Sequence, residues 1–323
     1  MAGFLIGRLL QAAFVMLAIS ALVFVGVYAV GNPIDVLIGP DATQEIRAQT
    51  IARYGLDQPL WAQYLAFLQR LLTGDLGRSL VFNMPVLDLV LSRLPATLEI
   101  ALLAVLGATL IGVPAGMLAG WKPQHPLSRL VMGVSVLGFS VPTFWIGLLL
   151  ILVFAVWLGW LPAGGRGPTA AWFGVEWSVA TLEGWKHLLL PALNLALFKM
   201  ALMMRLARAG TREVLLGDTV RMARATGQSE WTILSRHVLR LIAIPIVTVF
   251  GLELGATLAF AVVTETIFSW PGAGKLIIDS IQALDRPVMV GYLMLVALLF
   301  TTINLVVDVV YALLDPRLRS RRA

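Results

Sequence analysis

Six stretches of this chain stay apolar for about the thickness of a bilayer, and that limits its fold before anything else does. A helix crossing the hydrocarbon core needs about 20 mostly apolar residues. Candidates run over Leu9–Val30, Leu98–Gly120, Leu130–Leu161, Leu188–Met204, Leu241–Val263 and Met289–Leu314. In lipid each backbone N–H and C=O must find its partner inside the element, so runs of this kind fold as helices. Hydrophobic residues make up 59% of the 323 and charged residues 13%, against ~45–50% and ~25% in a soluble domain. The expected class is an all-α integral membrane protein with six transmembrane helices.

Two of the runs are irregular. Leu130–Leu161 spans 32 residues around Pro142, too long for one straight span and too short for two, so it reads as one long span with an irregular or kinked stretch at Ser140–Pro142. Leu188–Met204 is short and holds Pro191 and Lys199. The first run exceeds the ~7–15-residue core of a secretory signal. No small-x-small cleavage site follows it cleanly before Asn32-Pro33, so it reads as a retained anchor.

Basic residues set the orientation. The segments ending at Arg8, around Lys122–Arg129, from Lys199 to Arg240 and after Leu314 hold 15 Lys/Arg against 4 acids, and the opposite segments hold 9 against 11. Both termini are therefore expected in the cytoplasm. A net charge of +6 and a pI near 10.1 would suggest nucleic acid for a soluble protein. Here the asymmetry reports membrane topology instead, so the contact is with lipid and not with nucleic acid.

Between the spans, residues 31–97 form a long outer segment. It has turn signals at Asn32-Pro33, Gly39-Pro40 and Gly74-Asp75, and an amphipathic helix expected over Leu60–Leu72. The second outer loop, Pro162–His187, carries Trp172, Phe173, Trp177 and Trp185 and reads as interfacial. Residues 207–240 make the one long cytoplasmic loop. A helix is expected over Leu215–Ala225 before a stop at Gly227, and a second over Glu230–Arg240, capped by Ser229 and with Trp231, Leu234 and Val238 on one face. Its arginines suit a docking helix, or alternatively serve only to fix topology against lipid headgroups.

Catalytic chemistry finds little support. The absence of cysteine excludes disulfides, thiolate nucleophiles and Cys-based metal sites. His125, His187 and His237 are dispersed and give no metal cluster. Gly272-Ala273-Gly274-Lys275 looks like half a phosphate loop, but Ser269 stands where its first glycine belongs and Leu276 follows the lysine. Three acids fall inside apolar runs, where a charge costs ~2.5–3.5 kcal/mol on insertion scales. Glu99 and Asp308 lie within reach of helix ends. Glu253 is mid-span between Gly251 and Gly255, a candidate for a translocation path or an inter-helix hydrogen bond.

Arg221-Met222-Ala223-Arg224-Ala225-Thr226-Gly227, followed by Arg236-His237-Val238-Leu239-Arg240 and Pro245, resembles the signature loop of ABC-importer permeases, and in particular that of the dipeptide/oligopeptide/nickel branch. The runs Gly55–Leu60, Gly74–Ser79, Pro95–Glu99, Glu265–Gly274 and Asp308 with Asp315-Pro316-Arg317 agree with the same branch. Arg221-Met222 departs from the Glu-Ala of many ABC permeases. The long segment after the first span is similar to that of the B-type subunit.

That resemblance implies a type I ABC importer permease fold with six spans. Residues 1–93 would be an N-terminal helix plus extracytoplasmic segment, and 94–323 the permease core. Arg221, Ala223, Arg224, Ala225, Gly227, Arg236 and His237 would couple to an ATPase, while Glu265, Trp270, Pro271, Gly272 and Gly274 belong to an extracytoplasmic family motif. The implied partners are a homologous C-type permease, two cytoplasmic ABC ATPase subunits and an extracytoplasmic solute-binding protein. ATP and Mg would sit on the ATPases, and this chain would carry no cofactor. The expected function is half of a translocation path for peptides or similar small solutes. The rival reading is an ion-coupled carrier or passive channel that uses Glu253 and Asp308.

Overall fold

In a computed structural model, residues 2–29, 43–54 and 57–314 are described. Asn32-Pro33, Gly39-Pro40, Gly55-Leu56 and Asp315-Pro316-Arg317 lie outside them, as does Val30 of the first expected span. The framework divides into two compact units, one of Pro95–Lys275 with the stretch from Thr302, the other of Ala2–Leu94 with Leu276–Thr301. The helices are α1 (Ala2–Ala29), α2 (Gln44–Tyr54), α3 (Leu60–Leu72), α4 (Val86–Trp121), α5 (Pro126–Ser140), α6 (Thr143–Trp157), α7 (Leu182–Leu215), α8 (Asp218–Ala225), α9 (Glu230–Phe260), α10 (Val262–Ile267), α11 (Ala273–Gln282) and α12 (Arg286–Leu314).

Among the described residues five helices are long and apolar enough to cross a membrane: α1, α4, α7, α9 and α12. The irregular stretch expected at Ser140–Pro142 separates two helices, α5 and α6, at Val141 and Pro142, whose ψ angles of 131° and 137° are extended. Proline supplies no N–H and disfavours the α conformation in the residue before it, and here Val141 takes the extended alternative. Each piece has 15 residues or a similar length, about 22 Å at 1.5 Å per residue, short of a ~30 Å core.

The other boundaries move outward. α4 begins twelve residues before the expected Leu98, with Pro95 inside it, so Glu99 belongs to the helix body and not to its end. The short run Leu188–Met204 becomes a 34-residue helix whose first turn is capped by the Thr181 hydroxyl, accepting from Gly184 N at 2.9 Å. This places Lys199 in the middle of α7, so it is not one of the cytoplasmic loop charges. Leu215 closes the same helix instead of opening the one expected over Leu215–Ala225, which begins at Asp218.

In the unit of Ala2–Leu94, α3 forms as the periodicity requires and lies against α1. Tyr64 Oη is 2.8 Å from Ser20 Oγ, and Phe24 packs on Tyr64 and Phe67 with ring centroids 5.3 and 5.8 Å away. Ser79, from one of the motif runs, donates to Asp285 at 2.5 Å. In the other unit, the second outer loop contains a hairpin, β1 (Ala170–Trp172) paired antiparallel with β2 (Val175–Trp177). Phe173 and Gly174 at its tip both have positive φ, 53° and 75°, as a two-residue turn matched to strand twist requires.

Candidate functional site

The segment between α7 and α9 is more compact than a loop. Val220 and Ala223 of α8 are buried with Met203, Ala207, Ile233, Leu234, Val238 and Ile242, which seats the short helix on the helices before and after it. Gly227 ends it at φ 75°, while Gln228 N donates to Ala223 O at 3.1 Å and Gly227 N to Arg224 O at 3.0 Å. This is the paired C-terminal closure that needs a left-handed residue, and glycine takes that conformation without a Cβ penalty. Ser229 then caps α9, its Oγ accepting from Thr232 N at 3.2 Å.

Of the expected coupling residues one turns inward and two are engaged within the segment. Ala223 is 4% exposed, so it faces its own core and offers nothing to a partner. Arg224 is occupied by Glu230, Nε to Oε1 at 2.8 Å and Nη2 to Oε2 at 3.2 Å, and Trp121 Nε1 donates to the same carboxylate at 3.2 Å. His237 Nε2 is 2.8 Å from Gln228 Oε1. Trp231 does not share a face with Leu234 and Val238. It is 77% exposed while they are buried, and the helix passes through a π-turn at Ile233–Val238. The outward edge therefore comprises Arg221, Met222, Ala225, Trp231 and Arg236, all exposed. Among the described residues Arg221 has an exposed pairing with Asp218 at 3.5 Å, an interaction worth little.

Inside the apolar region Glu253 is not solitary. Lys199 Nζ on α7 lies 2.6 Å from its Oε2, the two side chains being 11% and 19% exposed. A Cβ at Gly251 would collide with Val307 Cγ2, so glycine there permits α9 and α12 to approach. Glu99 is 2% exposed and so enclosed by the protein. Arg166 Nη2 pairs with its Oε2 at 3.1 Å, and Ser178 N donates to its Oε1. Arg166 Nε also donates to Ser178 Oγ at 2.9 Å. Asp308 is half-buried two residues before the end of its apolar span.

The Glu265–Gly274 motif forms a closed clamp. Glu265 is fully buried. Its carboxyl accepts from Thr97 Oγ1 at 2.6 Å and from Lys275 N at 2.7 Å, at the start of α11, where orphan N–H groups need acceptors. Thr97 Oγ1 in turn accepts from Ala273 N at 2.8 Å, and Trp270 Nε1 donates to Ala96 O at 2.9 Å. A Cβ at Gly272 would collide with the Glu265 carboxyl, so the backbone can wrap the acid only with glycine there. Pro271 bends into this wrap half-buried, and Gly274 is buried beside it. Burial pushes the Glu265 carboxyl above its ordinary range, opposed by the hydrogen bonds from Thr97 and from the backbone of Lys275 and Gly274.

The sequence reading missed Lys199, Arg166, Thr97 and Glu230 as partners. The signal available was charge parity: an acid in an apolar run calls for a base at the same depth. Among the described residues no cluster of three or more potential ligands could hold a metal ion.

Comparison with known proteins agrees over nearly the whole length. The family described as binding-protein-dependent transport system inner membrane component matches residues 112–320, and its N-terminal counterpart matches 1–101. The chain is 41% identical over 305 residues to the di/tripeptide transport system permease protein DppB of Pseudomonas aeruginosa, covering 90% of this chain and 91% of that one. It is 36% identical to the dipeptide transport system permease protein DppB of Alkalihalophilus pseudofirmus, covering 97% and 98%. Identity to the glutathione transport system permease protein GsiC of Escherichia coli K12 is 38%, covering 99% and 100%. Among solved structures, an inward-facing MetNI methionine ABC transporter chain superposes with a TM-score of 0.56 at 16% identity, over 70% of this chain and 96% of that one. At that identity the likeness shows the fold.

Proposed function

The chain belongs to the family of binding-protein-dependent transport system inner membrane components, and on that premise we propose that it forms half of an inward path for peptide-like solutes, driven through α8 by partner ATPases. It is an integral inner-membrane permease subunit of an ABC importer and not an enzyme. The observation that carries the coupling reading is the hairpin at Gly227. It is rigidly closed on its inner side by Val220 and Ala223 and presents Arg221, Met222, Ala225 and Trp231 outward. A short helix so anchored can move with α7 and α9 when something pushes on its outer edge.

Under this proposal two cytoplasmic ATPases carry ATP and Mg, a homologous C-type permease completes the path, and an extracytoplasmic solute-binding protein delivers the solute. The relatives named for dipeptide, tripeptide and glutathione transport support a peptide-like cargo. The division into an N-terminal part and a permease core, drawn at 93/94, has its counterpart in two family models that match residues 1–101 and 112–320. Arg221, Arg224, Ala225, Gly227, Arg236 and His237 shape or line the coupling surface. Glu253, Glu99 and Asp308 are the polar groups of the apolar region, and the Lys199 pairing of Glu253 weighs against a proton-binding carrier.

The test has two parts. Transport by the reconstituted complex is measured with a panel of di- and oligopeptides, nickel chelates, glutathione and glycosides, and uptake of no peptide would refute the cargo. Single cysteines replacing Phe173 and Trp231, 90% and 77% exposed in this cysteine-free chain, should label from opposite sides of the membrane. Labelling of both from one side would refute the orientation.

A further inference from the structure

Three arginines line one hollow on the second half of α7, beside α5. Arg205, Arg208 and Arg212 follow one another by three and four positions, so they share one helix face. With Ala209 and with Met132 of α5 they line a hollow of about 260 Å³. No carboxylate lines it among the described residues. Arg208 Nε is buried there without a hydrogen-bond partner, although buried N–H donors are paired almost without exception. Arg212 is exposed at the rim. A guanidinium is a rigid fork that matches phosphate oxygens two at a time.

We propose that this hollow binds a phosphate group, with the half-buried Arg208 guanidinium on its inner side and Arg212 closing over it. The charge count assigns this end of α7 to the cytoplasmic side. There an anionic phospholipid of the inner leaflet presents a phosphodiester at the depth of a helix end, and basic pockets between membrane helices suit such headgroups. Soluble phosphate offers the same oxygens from the aqueous side. The carbon stem of Met132 gives the hollow an apolar wall on the α5 side, which a bound lipid would share with its glycerol and chain. The site would anchor the foot of α7, the helix that leads into α8. It does not depend on which solute the importer carries.

The experiment uses the assembled importer in neutral detergent, with thermal unfolding followed during separate titrations of short-chain phosphatidylglycerol, short-chain diacylglycerol and inorganic phosphate. Native mass spectrometry in parallel counts retained phosphatidylglycerol. The expected result is a saturable stabilisation by phosphatidylglycerol, none by diacylglycerol, and an apparent affinity weakened roughly tenfold in Arg212→Gln, as loss of one charge-assisted bond requires. Arg208→Lys, which keeps the charge but loses the fork, should weaken it as well. The same saturable shift with inorganic phosphate, lost in both variants, assigns the site to a soluble anion. No saturable shift of the wild type by either phosphate probe overturns the proposal. So does an unchanged response in Arg212→Gln, whose exposed side chain the fold does not need.

Discussion

Lys199 Nζ lies 2.6 Å from Glu253 Oε2, so two charges of the apolar region enter it as one neutral pair that ties α7 to α9. Either alone would be costly at that depth. Removing one partner strands the other, which costs up to ~3–5 kcal/mol when fully buried, and less here because both side chains keep some exposure. Glu253→Gln and Lys199→Met are each expected to lower the unfolding temperature of the detergent-solubilised subunit, and the double variant Lys199→Met/Glu253→Leu to recover most of it. Single variants as stable as the wild type would show that the pair does not hold the helices together.

Gly227 has open space around it, so its substitution tests backbone conformation alone. At φ 75° a left-handed L-residue costs roughly 1–2 kcal/mol, least for Asn and most for a β-branched residue. Retention of the ATPases on co-purification should fall in the order Gly, Asn, Ala, Val at position 227. Equal retention in Gly227→Val would separate this turn from coupling.

Arg224 and Glu230 form an exposed strut, and exposed ion pairs contribute only ~0.2–1 kcal/mol to stability. Their use is geometric, since Trp121 joins the same carboxylate and fixes α9 against the end of α4. Arg224→Glu is predicted to uncouple ATP hydrolysis from transport in proteoliposomes, and Arg224→Glu/Glu230→Arg to restore coupling at least in part. If the double variant is as uncoupled as the single one, Arg224 contacts the partner directly and is not a strut.

Glu265 receives only donors from Thr97 and from the start of α11. Glu265→Gln sets an amide NH₂ among them and should destabilise the subunit by about 1–3 kcal/mol. Gly272→Ala should do at least as much, because its Cβ would occupy the space of the same carboxyl. Both are read from chemical or thermal unfolding in detergent. Wild-type stability in Glu265→Gln would remove the clamp from the account of this motif.

What the sequence carried by itself was anything local or additive. Apolar length required membrane helices, a period of 3.6 placed α3 over Leu60–Leu72, Gly227 and Ser229 marked a stop and a start, and motif order pointed to the family. Pro142 marked an interruption, because the chemistry that breaks a helix belongs to the proline and its neighbour. Tertiary structure decided what depends on residues far apart in the chain. The pairing of Lys199 with Glu253, Arg166 with Glu99 and Thr97 with Glu265 joins positions 54, 67 and 168 residues apart. No local pattern encodes such a match, since each acid needs a partner at its own depth but not at any fixed spacing. The same holds for Arg224. In the sequence it is an exposed cation on a short amphipathic helix, and only the turn at Gly227 swings Glu230 back within reach and makes it part of the scaffold.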